Sequence, residues 1–169
     1  MCDPAKSIMP LARASTGLDW PVLVAGPTSD PATLGELTLL GDLSHRALLS
    51  RMQHAAIFVS PALYEPFGLS VLEAASAGCA LVLSDIPTFR ELWNDAALFV
   101  DPNDDRALHN ALATLCRDDG KRARLQIAAR ERSQRYSLTQ TGDAYRALYQ
   151  RLQTLHPRTI PTQPREVHA

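Results

Sequence analysis

The chain has 169 residues, 46% apolar and 21% charged, with a formal net charge of −1, an ordinary globular composition that excludes a disordered, collagenous or coiled-coil chain. This length suits one domain with a single core, and no apolar run approaches the ~20 residues that span a bilayer. Pro4, Lys6, Pro10 and Arg13 interrupt the stretch where a signal peptide would be apolar, and Cys2, Cys79 and Cys116 show no C-x-x-C spacing, so neither secretion, a disulfide framework nor a zinc site is indicated and the expected compartment is the cytoplasm.

Five short apolar runs follow one another: PVLVAG (Pro21–Gly26), LTLLG (Leu37–Gly41), AIFVS (Ala56–Ser60), ALVLS (Ala80–Ser84) and ALFVD (Ala97–Asp101). Most are continuous rather than alternating, which suits strands buried on both faces of a parallel sheet. Between them lie helical patterns. Ser44–Ala55 opens on a candidate N-cap, Ser44, and gathers Leu48, Leu49 and Met52 on one side. Gly68–Gly78 gathers Leu69, Leu72 and Ala75, with Gly78 placed to end it. This alternation predicts βαβ units in a doubly wound, Rossmann-like α/β sheet.

After Asp101 the strands stop. A helix capped by Asp104 or Asp105 is expected to about Arg117, broken by Gly120, with a second to about Tyr136 and a third from Leu138 to about Leu155. The tail from His156 holds three prolines and little apolar content, so residues 1–155 are expected to form the domain and 156–169 a disordered tail. Residues 1–116 carry 6 Lys+Arg against 13 Asp+Glu, whereas 117–169 carry 11 against 5. Solvated helix faces are the simple reading of that basic third, with an anionic membrane surface or an acidic partner as the alternative. Nucleic acid is not expected as a partner.

The stretch AIFVSPALYEPFGLSVLEAASAGCALVLSD holds the candidate site. Ligands of open parallel sheets bind beyond the carboxyl ends of the strands, where the helix opened by Gly68 would start. Its first amides have no intrahelical partner, the helix dipole favours an anion, and a glycine lets backbone approach a phosphate. Glu65 precedes this point and Glu73 follows it by about one turn, leaning back toward it. Carboxylates suit vicinal diols, so the pattern fits a sugar–diphosphate–ribose ligand. Taken singly, Glu65 reads equally as a solvated loop acid, Glu73 as an early-helix acid and Gly68 as a turn residue. Asp104–Asp105 reads as a cap rather than a metal site, and the five histidines show no ligand spacing.

From about Leu39 to Pro102, and more weakly over 5–155, the sequence resembles the donor-binding domain of retaining glycosyltransferases of the glycogen synthase/sucrose synthase type (group 1, family 4), which have the two-domain GT-B fold. The features that carry it are GDLSHRALLSRMQHAAIFVSP, YEPFGLSVLEAASAGCALVLSD, RELW and ALFVDP, with Glu65 and Glu73 separated by seven residues. The resemblance implies a single, C-terminal GT-B half that transfers a hexosyl group from a nucleoside-diphosphate sugar with retention, without metal or other cofactor. It implies that Glu73 binds the ribose hydroxyls and that Glu65 lies beside the transferred sugar. Phe67, Gly68 and Leu69, with Ser70 adjacent, would line the sugar and diphosphate, and Lys6 would neutralise the diphosphate. Asp85, Arg90 and Glu91 receive no donor role.

The family's acceptor-binding domain, first donor-domain strand and Gly-Arg segment have no counterpart in this sequence, so an acceptor half on another chain or upstream is expected. The readings left open are a donor half working with such a partner, an inactive truncated remnant, a non-catalytic nucleotide-sugar binding module, and another sugar-nucleotide enzyme of similar fold.

Overall fold

A computed structural model of the chain describes residues 8–27 and 34–155. Lys6, Cys2 and the tail 156–169 lie outside the described residues. The chain divides into two compact units between Arg135 and Tyr136. In the first unit the order is α1 (Met9–Ser15), β1 (Leu23–Ala25), β2 (Thr38–Gly41), α2 (His45–His54), β3 (Ile57–Ser60), α3 (Leu69–Ala77), β4 (Ala80–Ser84), α4 (Pro87–Trp93), β5 (Leu98–Val100), α5 (Asp105–Arg117) and α6 (Asp119–Ser133).

All five expected strands are present and every pairing is parallel. They form two hydrogen-bonded groups, β1-β2 and β3-β4-β5. β4 explains why a continuous apolar run was needed: all five of its residues are buried. Side chains alternate across a strand. Ala80 and Val82 therefore enter one core, with Leu11 and Ala14 of α1 and Leu108, Leu112 and Leu115 of α5. Leu81 and Leu83 enter the other, with Val71, Ala74 and Ala75 of α3, Phe89 and Trp93 of α4, and Ala129 of α6. Helices thus cover both faces, as in a Rossmann-like α/β fold. Val22, Val24, Leu37 and Leu39, in and beside β1 and β2, pack into the same core as Ala80 and Val82, which joins the two strand groups without a hydrogen bond between them.

Local signals set the helix ends. Ser44 Oγ accepts from the Ala47 N–H at 3.3 Å, and Asp104 Oδ1 from the Ala107 N–H at 2.8 Å. The break between α5 and α6 falls at Asp118 rather than the expected Gly120. Asp118 ends α5 and caps α6, accepting from the Lys121 N–H at 2.7 Å, which leaves Gly120 in the first turn. Periodicity did not reveal α1 and α4, because seven residues hold only two turns; each has a proline in its first turn.

The second unit contains α7 (Leu138–Leu155), in which no residue is buried. Tyr145 and Tyr149 stack on its surface with ring centroids 6.4 Å apart. Among the described residues, no helix is long and apolar enough to cross a membrane.

Candidate functional site

β3 ends at Ser60, and residues 61–68 lead from its carboxyl end to α3. The Ser84 hydroxyl donates to the Ser60 carbonyl at 3.4 Å, tying the ends of β3 and β4 together below this loop. Gly68 caps α3 in the left-handed conformation, at φ +85°. A Cβ there would lie 3.1 Å from both Phe89 Cε1 and Val71 Cγ2, and both side chains are fully buried. Backbone conformation and lack of space therefore both require glycine. The first intrahelical bond runs from the Leu72 N–H to the Gly68 carbonyl, at 3.1 Å. The amides of Leu69, Ser70 and Val71 consequently have no intrahelical acceptor.

Glu65 Oε1 accepts from the Gly68 amide at 3.0 Å. The acid before the helix thus shapes the turn as well as flanking it. Glu65, Phe67 and Ser70 are half-buried, Gly68 is buried, and Leu69 is 68% exposed, so the turn borders solvent at Leu69. Glu73 follows on α3, in which it is the single ionisable residue, with its side chain 32% exposed. Its Oε1 lies 3.3 Å from His45 Nε2, at the start of α2. That contact between α2 and α3 was not read from the sequence; 27 residues lie between the pair and no local pattern links them.

Other chemistry-bearing residues have structural partners. Arg90 grips Asp85 with two hydrogen bonds of 2.6 Å and lies 4.2 Å over the Phe99 ring. Those hydrogen bonds hold the Asp85 carboxyl below its ordinary range. Asp104 caps α5, and Asp105 pairs with Arg13. His109 Nδ1 lies 2.9 Å from the Ala14 carbonyl oxygen. Cys79 is buried, its thiol directed to the carbonyls of Met52 and Ala55, and burial pushes it up to about 11. Among the described residues, no group of three or more His, Cys, Asp or Glu is placed to hold a metal ion. An open depression of about 580 Å³ runs along α2, lined by His45, Arg46, Leu49, Ser50 and Gln53. Among the described residues, it meets the candidate site at His45.

Residues 32–132 match the family described as Glycosyl transferases group 1. The chain is 39% identical over 98 residues to O-antigen chain mannosyltransferase B of Escherichia coli, a match covering 56% of this chain and 26% of that protein. Its fold is similar to that of the sucrose-phosphate synthase of Thermosynechococcus elongatus, with a TM-score of 0.71 and 26% identity, over 87% of this chain and 43% of that one. It is also similar to HepE of Anabaena, solved with UDP and glucose, with a TM-score of 0.73 and 19% identity, over 88% and 46% of the two chains. The chain therefore spans less than half the length of each of these three proteins.

Proposed function

Because this chain belongs to the Glycosyl transferases group 1 family, we propose that it binds a nucleoside-diphosphate sugar at the start of α3 and serves as the donor half of a retaining hexosyltransferase of GT-B architecture. The observation that carries the proposal is the α3 turn itself: three amides without intrahelical acceptors lie between Glu65 and Glu73, at the carboxyl end of a buried parallel sheet. HepE, a protein of similar fold solved with UDP and glucose, supports the same ligand class.

Each residue then has a part. The Leu69 and Ser70 amides hold the diphosphate. Phe67 and Gly68 shape the wall beside the sugar. Glu73 accepts from the ribose diol, and Glu65, oriented by its bond from the Gly68 amide, accepts from the transferred sugar. Transfer breaks the anomeric C–O bond, and the negative charge that develops on the leaving diphosphate is met by fixed amides rather than by a metal ion. A further domain or a partner chain supplies the acceptor side.

Calorimetric titration with UDP-glucose, ADP-glucose and GDP-mannose tests this reading. At least one is expected to bind, and Glu73→Ala is expected to weaken it roughly 10- to 150-fold, as loss of hydrogen bonds to a charged group predicts. Glu65→Ala is expected to leave binding nearer to wild type while reducing transfer in the presence of an acceptor-binding domain. Failure of all three nucleotide sugars to bind, or equal binding by wild type and Glu73→Ala, refutes the assignment.

A further inference from the structure

We infer that His45 is a positioning residue for Glu73, and that through it nucleotide-sugar binding responds to pH. The inference rests on the donor-site reading above and extends it to a residue on a different helix. Glu73 projects from α3 with no other ionisable side chain on that helix to orient it. Its carboxylate can adopt several rotamers, yet a ribose diol needs both oxygens presented in one plane. His45 Nε2, 3.3 Å from Glu73 Oε1, lies near one oxygen and leaves the other to the ligand. An oxygen with two lone pairs can accept from both the imidazole and a ribose hydroxyl.

His45 is itself well placed for this task. It is the first residue of α2, directly after the Ser44 cap, and α2 packs against α3. Its side chain is 65% exposed, so protons exchange with solvent freely. Charged neighbours along the chain are Asp42 and Arg46 on its own segment; across the contact it is Glu73 on α3. Histidine is the side chain whose charge changes between about pH 5 and 8. When charged, the imidazolium holds Glu73 by a charge-assisted contact. When neutral, it loses that charge assistance.

The test uses UDP-glucose, ADP-glucose and GDP-mannose, whose doubly esterified diphosphates keep their charge over this range. Wild-type protein is expected to bind about two- to five-fold more tightly near pH 5.5 than near pH 8, the scale of a partly exposed ion pair. His45→Gln, which can still donate a hydrogen bond but cannot charge, is expected to bind with no pH step. His45→Ala is expected to bind more weakly at both pH values. Persistence of the step in His45→Gln, or wild-type binding by His45→Ala, overturns the inference.

A second measurement does not depend on any ligand. His45→Gln, Glu73→Gln and the double variant form a cycle on the melting temperature near pH 5.5. Coupling of roughly 1–4 °C is expected. Strict additivity overturns the role of His45 even if nucleotide sugars bind. Coupling without binding of any nucleotide sugar instead refutes the donor-site reading, and with it the function assigned to the pair.

Discussion

Gly68→Ala is the sharpest probe of the turn that starts α3. A residue with a Cβ in the left-handed region is destabilised by roughly 1–2 kcal/mol. At Gly68 the new methyl also lies 3.1 Å from Phe89 Cε1 and Val71 Cγ2. Both neighbours are 0% exposed, in a close-packed core, so neither can give way cheaply. Overpacking of this kind adds about 1–3 kcal/mol. A total near 3 kcal/mol lowers the melting temperature by roughly 6–12 °C for a chain of this size. Gly78→Ala is the internal control. Gly78 also has a left-handed backbone, at φ +97°, but no atom lies within 4 Å of its added Cβ. It should lose only the backbone part, about 1–2 kcal/mol. Urea titration of both variants, read as midpoint shifts at constant slope, separates the two contributions. Equal losses in the two variants would refute the packing argument at Gly68, and a Gly68→Ala midpoint equal to wild type would refute the whole account of the turn.

Two further outcomes follow from the surroundings of the titratable groups. Cys79, fully buried and with its thiol pushed up to about 11, should resist a thiol reagent at about pH 8 while the partly exposed Cys116 reacts. Peptide mapping of the modified protein checks this, and labelling of Cys79 faster than global unfolding would contradict it. Asp85 is held below its ordinary value of 3.8 chiefly by hydrogen bonds from Arg90. Its contribution to stability is therefore complete above that value and is lost as pH falls through the depressed one. Asp85→Asn should flatten the acid side of the melting-temperature profile below about pH 4, and a profile parallel to wild type would show that the pair contributes nothing to folding.

Much of the fold and site could be read along the chain because the signals are local. Short apolar runs marked all five strands, most plainly β4, which is buried at every position and so must be apolar along nearly its whole length. Ser44, Asp104 and Gly78 marked helix ends, because a cap is a bond between neighbours three or four residues apart. Glu65, Gly68 and Glu73 fell around one helix start for the same reason: nine residues span loop, cap and first turn together. Seven-residue helices such as α1 and α4 lay below the reach of periodicity.

Contacts between elements were settled by packing alone. Nothing near Gly68 in sequence points to the Phe89 ring that excludes a Cβ there, and nothing near Glu73 points to His45. The pairing of Arg13 with Asp105, across 92 residues, and the division of the strands into two groups on one core are of the same kind. Residue order determines which groups a turn or helix end presents, since hydrogen-bond geometry there depends on near neighbours. Which side chain meets that end from another helix depends on how both faces of the sheet are filled, and that is decided only when the layers close on one another.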